Sequence, residues 1–371
     1  MFRATLLCLS SIALLACGRS DRSPAGDRNG AGSATVGSAA LTGAGATFPA
    51  PIYTKWFDAY AHQTGVRINY QSIGSGGGIR QFIEGTVDFG ASDAPMTDGQ
   101  VAAVKGNVLH VPTVLGAVVA TYNLPSLGKT PLRFDGATLA DIFLGRIRRW
   151  NDRRLAALNP GVTLPDQDII VVHRSDGSGT TFIFTDYLSK ISSEWKSKVG
   201  KATSVEWPAG LGGKGNEGVT QQVKQTEGAI GYVELIYAIS NGLPAALIKN
   251  ADGAFVEPSL KSVSAAASGA GLGADTDFRV SISNPPGRDS YPVSSFTWLL
   301  VHKESPDSAK ARTLHSFLIW MLRPEAQRMA ADLHYAPLPV AVIELLQRRL
   351  GALVPVTNPL HGRDRPGASR V

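Results

Sequence analysis

The chain has 371 residues, of which 43% are hydrophobic and 18% charged, the composition of a globular protein with a sizeable core. Its length favours about two domains over one. The formal net charge of +6 is compatible with anionic ligands. The sequence contains no zinc-finger, RNP-type or basic-helix pattern, so we expect no nucleic-acid partner.

The N-terminus is typical of an exported protein. Arg3 precedes an apolar run over residues 6–16 that is too short to span a bilayer as a stable helix. The run ends in Leu14-Leu15-Ala16-Cys17, which resembles the lipobox of bacterial lipoproteins. The resemblance implies a lipoprotein signal peptide over residues 1–17, with cleavage before Cys17 and lipid on its thiol. The alternative is soluble export with cleavage nearby.

The mature domain is expected to contain no cysteine, because Cys8 leaves with the signal and Cys17 carries lipid. Its core must therefore stabilise it without disulfides. No later segment reaches the apolar length of a transmembrane helix. We expect membrane contact only through the lipid anchor.

Residues 18–40 are rich in Gly, Ser, Ala, Asp and Arg and lack apolar periodicity, which predicts a flexible tether. Strand and helix patterns then alternate, which predicts an α/β domain with a mainly parallel sheet. Strands are predicted at residues 41–44, 66–73, 87–91 and 108–114, and helices at 50–63, 77–84 and 99–104.

The second half of the chain continues this alternation and contains two apolar runs that are longer than one strand needs. These runs, at residues 113–123 and 291–301, are predicted to cross between two lobes. The other predictions are strands at 168–173 and 229–233, a helix at 181–188, a helix end at 139–145, a hairpin turn at 250–253, helices at 307–322, 324–332 and 340–349, and a disordered tail at 356–371.

Three turns rich in glycine and hydroxyl side chains each precede a predicted helix. They are GAGATFP at residues 43–49, GSGGG at 74–78 and RSDGSGTT at 174–181. The first N–H groups of a helix are unpaired and lie at the positive end of its dipole, so such turns suit a tetrahedral oxyanion. The alternative is that Thr47 and Ser178 only cap their helices. Spacing alone does not show whether the turns converge.

Three other features allow a functional and a structural interpretation. Asp93 follows a strand and precedes Pro95, and a turn or cap residue is the simpler interpretation. The basic segment 146–154 is either a solvated face, which we favour, or a docking surface. Residues 210–215 match G-x-G-x-x-G, but they follow no clear strand, and Lys214 precedes Gly215 where a P-loop requires Ser or Thr.

Taken together, the segments closely resemble the periplasmic phosphate-binding protein of phosphate-specific ABC importers. The motifs GAGATFPAP, DFGASDAP and RSDGSGTTF carry the resemblance, which runs in order from about residue 41 to beyond 339. It implies an α/β, two-lobed periplasmic binding protein fold with a two-segment hinge, a ligand cleft between the lobes, no cofactor and no catalysis. The implied lobes are residues 41–114 plus 293–355, and residues 115–292.

The resemblance also implies a set of phosphate ligands. They are Thr47, Phe48 (through its backbone N–H), Ser75, Asp93, Arg174, Ser178, Gly179 and Thr180. One departure is visible, because the family often has a second serine where this chain has Gly76. Losing one neutral hydrogen bond costs around 1 kcal/mol, so the departure would weaken binding without abolishing it.

The chemistry of the anion suggests how the site would discriminate. Phosphate keeps a proton near neutral pH and sulfate keeps none, so an ionised Asp93 could accept a hydrogen bond from phosphate and repel sulfate. Arg174 would supply compensating positive charge, and Asp176 would hold it in place. The implied partners are inorganic phosphate and the permease subunits with their ATPase, for a monomer at the periplasm or cell surface.

An exported phosphatase or hydrolase is the rival class. Neither Ser75 nor Ser178 lies in G-x-S-x-G, and the chain has no H-E-x-x-H. The seven histidines lack metal-ligand spacing, so no metal site is expected, and His173 is better interpreted as structural than as a general base. Among binding modules, sulfate, molybdate and arsenate are alternative ligands.

Overall fold

The computed structural model of the protein describes residues 40–128, 130–268 and 276–353. The strands are β1 Leu41–Gly45, β2 Ile68–Ser72, β3 Phe89–Ser92, β4 Leu109–Tyr122, β5 Arg133–Phe134, β6 Ile170–Arg174, β7 Leu211–Gly213, β8 Ala229–Glu234, β9 Leu247–Lys249, β10 Phe255–Val256 and β11 Ser294–Val301. The helices are α1 Ala50–Thr64, α2 Ser75–Ile83, α3 Asp98–Ala103, α4 Gly136–Phe143, α5 Arg153–Leu158, α6 Gly179–Ile191, α7 Ser193–Lys198, α8 Gly215–Gln225, α9 Leu235–Ser240, α10 Leu260–Ser268, α11 Ser308–Met321, α12 Pro324–Ala331 and α13 Val340–Gly351.

Eight strands form one sheet in the order β2-β1-β3-β11-β4-β8-β6-β7. The pairs towards both ends are parallel, as the alternation of strands and helices predicts. The pairs β3–β11, β11–β4 and β4–β8 in the middle are antiparallel, so the expectation of a mainly parallel sheet fails there. Strand β11 comes late in the chain and lies between the early strands β3 and β4. Local sequence patterns carry no signal for such long-range pairing.

Strand β4 joins the two halves of the sheet. Its residues 109–117 pair with β11 and residues 118–122 pair with β8, and all fourteen residues are buried. The predicted strand at 108–114 and the predicted crossing at 113–123 are therefore one continuous strand. The second connection runs beside it, since the Val118 N–H donates to the Val293 carbonyl at 2.9 Å. We call the part built on β1, β2, β3 and β11 the first lobe, and the part built on β6, β7 and β8 the second lobe.

Helix α1 shows why the opening segment folds as predicted. Its apolar residues Ile52, Trp56, Phe57 and Tyr60 recur at helical spacing and are buried. The helix ends at Gly65, whose φ of 76° is a left-handed conformation that favours glycine. The hairpin predicted at residues 250–253 is also present, because it joins the antiparallel strands β9 and β10.

The predicted signal peptide, most of the tether, Cys17 and the tail at 356–371 lie outside the described residues. Within residues 40–128, 130–268 and 276–353, no helix combines the length and apolar character needed to cross a bilayer.

Candidate functional site

Four loops meet between the lobes: those after β1, β2 and β3 in the first lobe, and the loop after β6 in the second. The loop after β1 contributes Thr47, whose side chain is 3% exposed. Thr47 does not cap α1, because the residue at the N-cap is Pro49. Its hydroxyl oxygen instead accepts hydrogen bonds from the second lobe, from the Asn216 side-chain amide at 2.7 Å and the Asn216 backbone N–H at 3.2 Å.

Phe48 is fixed both by the packing of its ring and by a hydrogen bond to its backbone. Its ring is fully buried, and its carbonyl accepts a hydrogen bond from the Tyr335 hydroxyl at 2.6 Å. These contacts fix the backbone of the turn that leads into α1. The role predicted for the Phe48 N–H as an anion donor stays a prediction.

Ser75 and Asp93 lie side by side at the ends of their loops. Ser75 is the first residue of α2 and is fully buried, and Asp93 follows β3 and is 1% exposed. The Ser75 hydroxyl oxygen accepts hydrogen bonds from the Asp93 N–H at 3.2 Å and from the Gly179 N–H of the second lobe at 3.0 Å. A carboxylate therefore stands at the meeting point of two helix N-termini.

The environment of Asp93 makes its protonation sensitive to pH. Burial raises its pKa from 3.8 to about 7, although hydrogen bonds from Thr297 and Ser75 and the charge of Arg174 act in the opposite direction. The Thr297 hydroxyl of β11 donates to Asp93 Oδ1 at 2.7 Å. Asp93 is thus a desolvated acid, fixed by hydrogen bonds, with a pKa near neutral. A carboxylate that only formed a turn would not need such an environment.

The buried Arg174 and the partly buried Asp176 form a bidentate pair. The guanidinium is 1% exposed, and its Nε and Nη2 donate to the two Asp176 oxygens at 2.8 and 2.6 Å. Burial alone would raise the pKa of Asp176, but the hydrogen bonds and charge of Arg174 lower it below its usual value. Asp176 therefore lies where it can hold the guanidinium in place. The remaining nitrogen, Nη1, lies 3.4 Å from the Thr180 hydroxyl.

The turn after β6 brings Ser178, Gly179 and Thr180 to the start of α6. Ser178 is the N-cap, and its hydroxyl accepts the Thr181 N–H at 3.0 Å, so this residue does cap its helix. A side chain at Gly179 would place its Cβ 2.5 Å from the Ser75 hydroxyl and 2.6 Å from Asp93. Glycine is therefore what allows α6 to approach the first lobe this closely.

The lobes touch directly around the site. The Gly76 N–H donates to the Gly177 carbonyl at 2.9 Å, and the Tyr237 hydroxyl donates to the Thr47 carbonyl at 2.6 Å. A Cβ at Gly76 would lie 3.0 Å from Gly177 Cα. The departure noted at Gly76 thus lies at an interlobe contact, and the glycine permits a close backbone approach that a serine would crowd.

Asn216 and Thr297 contact the predicted residues and were not identified from the sequence. Asn216 is fully buried at the start of α8 and contacts both Thr47 and Thr180. Its signal was available, because Lys214-Gly215-Asn216 is another glycine-containing turn that opens a helix. Residues 211–213 form strand β7, so the G-x-G-x-x-G pattern lies on a strand and does not follow one.

The histidine and the basic segment have structural surroundings. The His173 ring stacks on Trp207 and its Nδ1 lies 3.0 Å from the Arg174 carbonyl. In the described part of the chain no group of three or more metal-ligating side chains is found. The basic segment is paired with acids, since Arg149 contacts Asp166 and Asp168. A partly exposed, ion-paired face explains that segment.

Comparison with known proteins adds independent information. The family model of the PBP superfamily domain matches residues 29–325. The "Phosphate-binding protein PstS" of Xylella fastidiosa strain Temecula1 is 44% identical over 351 residues, covering 92% of this chain and 96% of that protein. The protein of the same name from Pasteurella multocida is 47% identical over 307 residues, covering 83% and 88%.

Solved structures agree on the fold. A phosphate-binding protein from Stenotrophomonas maltophilia superposes with a TM-score of 0.65 at 17% identity, covering 84% of this chain and 93% of that one. A human phosphate-binding apolipoprotein gives a TM-score of 0.69 at 20% identity, covering 83% and 93%. At these identities the likeness concerns the two-lobed fold.

Proposed function

This chain belongs to the PstS family of phosphate-binding proteins within the PBP superfamily, and we propose from that premise that it binds inorganic phosphate for an ABC importer. The observation that carries the proposal is the convergence of Ser75, Asp93, Arg174 and Thr180 between the lobes. Hydroxyl and N–H donors, one guanidinium and two helix N-termini form a donor set for an oxyanion.

The discrimination mechanism rests on Asp93. Near neutral pH phosphate carries a proton that it can donate to a carboxylate, whereas sulfate has none to donate. A sulfate oxygen facing the buried Asp93 carboxylate would create a desolvated repulsion between two acceptors. Sites that depend on such a hydrogen bond can reject the wrong ligand by roughly four orders of magnitude. Arsenate carries the same proton, so this mechanism does not separate it from phosphate.

Arg174 supplies the positive charge of the site. Because Asp176 engages Nε and Nη2, the guanidinium plane is fixed and Nη1 is the nitrogen left to face Thr180 and the anion. Asp176 also accepts the Gly215 N–H at 2.9 Å, which ties this pair to the start of α8. A fixed guanidinium adds charge without needing to reorganise when the anion arrives.

The chain is not an enzyme, and its relatives are named as binding proteins. The hydroxyls of Ser75 and Ser178 accept backbone N–H bonds, which fixes the position of both oxygens. The ligands that we propose are the eight predicted residues: Thr47, Phe48, Ser75, Asp93, Arg174, Ser178, Gly179 and Thr180.

We place the lobe boundaries at residues 41–114 plus 293–355 and at 115–292, with β4 and the segment that leads into β11 as the hinge. Hinge closure on phosphate would present the closed form to the permease subunits and their ATPase. Export as a monomer to the periplasm or cell surface, with a lipid anchor at Cys17, completes the proposal.

Isothermal titration calorimetry of the full-length chain with phosphate and sulfate tests the function. We expect phosphate to bind and to retain its affinity in the presence of excess sulfate. Asp93→Asn should lose most of the preference for phosphate over sulfate while losing less of its total affinity for anions. No binding of phosphate would refute the function, and an unchanged preference in Asp93→Asn would refute the role of that carboxylate.

A further inference from the structure

Asn216 uses every hydrogen-bonding group of its side chain inside the cleft. Its Oδ1 accepts the Glu234 N–H at 3.0 Å. Its Nδ2 donates to the hydroxyl oxygens of Thr47 at 2.7 Å and Thr180 at 3.2 Å. The orientation of the amide follows from chemistry, because a backbone N–H can only donate and the atom facing it must be the oxygen. The two amide hydrogens must therefore point at the two threonines.

This orientation fixes what the Thr47 hydroxyl can do. A hydroxyl oxygen has two lone pairs and one hydrogen. Both lone pairs of Thr47 Oγ1 are taken, one by the Asn216 side chain and one by the Asn216 backbone N–H at 3.2 Å. The hydroxyl hydrogen remains, and no acceptor for it is found among the residues that the structure describes. The hydroxyl of this buried threonine is thus left with only a donor to offer.

Thr180 is in the same position from the other side of the cleft. Its hydroxyl oxygen receives the second Asn216 amide hydrogen and the Arg174 Nη1 hydrogen at 3.4 Å. Neither partner can accept, so the Thr180 hydroxyl hydrogen is also directed away from both. Thr180 is fully buried. Two buried hydroxyls on opposite lobes therefore each hold a hydrogen for an acceptor oxygen of the ligand.

We propose that Asn216 is a positioning residue of the anion site, which orients the hydroxyls of Thr47 and Thr180 as hydrogen-bond donors to phosphate. The inference rests on the proposed function and extends it to a residue outside the predicted ligand set. Asn216 also links the lobes, since it extends from α8 of the second lobe to Thr47 of the first. Its effect on affinity passes through the two threonines and needs no contact with the anion.

The strongest perturbation is Asn216→Asp, which keeps the shape, exchanges the two donated hydrogens for an acceptor and adds a negative charge, so a double-mutant cycle with Thr47→Val decides whether the loss passes through Thr47. The threonine hydroxyls would then donate to the new carboxylate and turn their lone pairs towards the anion. Calorimetry on the full-length chain should show phosphate affinity reduced by roughly 100-fold, the scale of losing hydrogen bonds to a charged group. Asn216→Ala should lose less, because it frees the hydroxyls without reversing them, and it carries the same test if the first variant does not fold.

A structural role would show itself differently. Asn159→Asp is the matched control, because Asn159 is a buried asparagine with Oδ1 accepting a backbone N–H and Nδ2 donating to two carbonyls, outside the cleft. It should lower the melting temperature and leave phosphate affinity unchanged. In a double-mutant cycle, Asn216→Ala should cost less affinity in a Thr47→Val background than in the wild type.

The outcomes separate the two proposals. Wild-type protein that does not bind phosphate would overturn the proposed function and this inference together. Wild-type binding with equally tight binding by the Asn216 variants would overturn the inference alone. Strictly additive losses in the cycle would also overturn it, because they would mean that Asn216 does not act through Thr47.

Discussion

At the scale of single residues, Asp93 combines two requirements that oppose each other. The discrimination against sulfate that we propose needs a carboxylate in a dry site, and a dry site disfavours the ionised form of that carboxylate. The Thr297 hydroxyl and the Arg174 charge reduce the penalty, yet burial still raises the pKa of Asp93 to about 7. The ligand-free protein therefore has an acid that is half protonated near neutral pH, and the carboxylate to which we assign selectivity lowers the stability of the folded state.

The stability of the ligand-free protein should depend on pH through Asp93. Its pKa is higher in the folded state than the 3.8 of the unfolded state, so folding is favoured by protonation. The contribution of Asp93 protonation to the free energy of unfolding is complete below pH 3.8, falls as pH rises, and is lost above pH 7. A pKa rise of this size corresponds to a change of roughly 4 kcal/mol in the free energy of unfolding across this pH range.

Asp93→Asn, which resembles the protonated form, should therefore melt at a higher temperature than the wild type above pH 7 and at the same temperature below pH 3.8. Thermal melts in phosphate-free buffer across this range measure the difference. A difference that does not change with pH would show that Asp93 does not titrate in this range.

At the scale of elements, the site depends on helix starts that come closer together than ordinary side chains allow. Gly179 opens α6 directly against Ser75, which opens α2, and the Gly179 N–H donates to the Ser75 hydroxyl at 3.0 Å. Two positive helix ends facing one point favour negative charge between them, and the Asp93 carboxylate lies beside them. The close approach of the two helix starts therefore shapes the site that the anion would enter.

Gly179→Ala should disrupt this approach, since its Cβ would lie 2.5 Å from the Ser75 hydroxyl. We expect phosphate affinity to fall at least roughly 5-fold, which corresponds to the low end of the cost of overpacking, about 1 kcal/mol. Gly99→Ala is the control, because Gly99 lies in a helix of the first lobe with nothing within 4 Å of its Cβ position. Calorimetry of both variants makes the comparison, and equal affinities would contradict the proposed close approach.

The sequence predicts the individual helices, strands and turns well, and it predicts how they pair and contact one another less well. Apolar spacing identifies α1, and the glycine-rich turns identify the loops that hold Thr47, Ser75 and Ser178. Local patterns cannot show that β4 changes partner from β11 to β8 at Val118, because a strand buried on both faces has no alternation to mark the change. The turn that holds Asn216 could be recognised from the sequence, but its contacts with Thr47 and Thr180 could not, because those residues are distant along the chain.

The resemblance to a family supplied what local patterns could not. Asp93 by itself is better interpreted as a turn residue, and only the position of DFGASDAP within the family pattern predicted a ligand. The structure then adds reasons that neither source contains, such as the Thr297 hydroxyl bond and the buried environment that shift its pKa. The specificity that we propose would depend on neighbours that converge on Asp93 from other parts of the chain.

At the scale of the whole molecule, the two lobes share one strand and meet at the candidate site. Strand β4 runs through both halves of the sheet, so bending near Ala117 and Val118 would open the cleft and leave both cores intact. In this structure the lobes are joined by short contacts, including the Gly76 N–H to the Gly177 carbonyl at 2.9 Å. Phosphate binding and lobe closure should therefore be one equilibrium.

Gly76→Leu tests this equilibrium. Its Cβ alone would lie 3.0 Å from Gly177 Cα, and the rest of the leucine side chain would hold the lobes apart. Small-angle X-ray scattering should show a smaller radius of gyration for the wild type when phosphate is added, and little or no change for Gly76→Leu. The variant should also bind phosphate more weakly, since closure energy no longer contributes. Gly99→Leu, with open space around it, should behave as the wild type does.

Full compaction of Gly76→Leu with undiminished affinity would mean that the lobes close without the Gly76–Gly177 contact. Weak binding together with wild-type compaction would place the defect in the ligand contacts and not in the hinge. We predict that Gly76→Leu loses affinity and compaction together while the melting temperature of the ligand-free protein is preserved. This combination would mean that phosphate binding drives closure of the hinge.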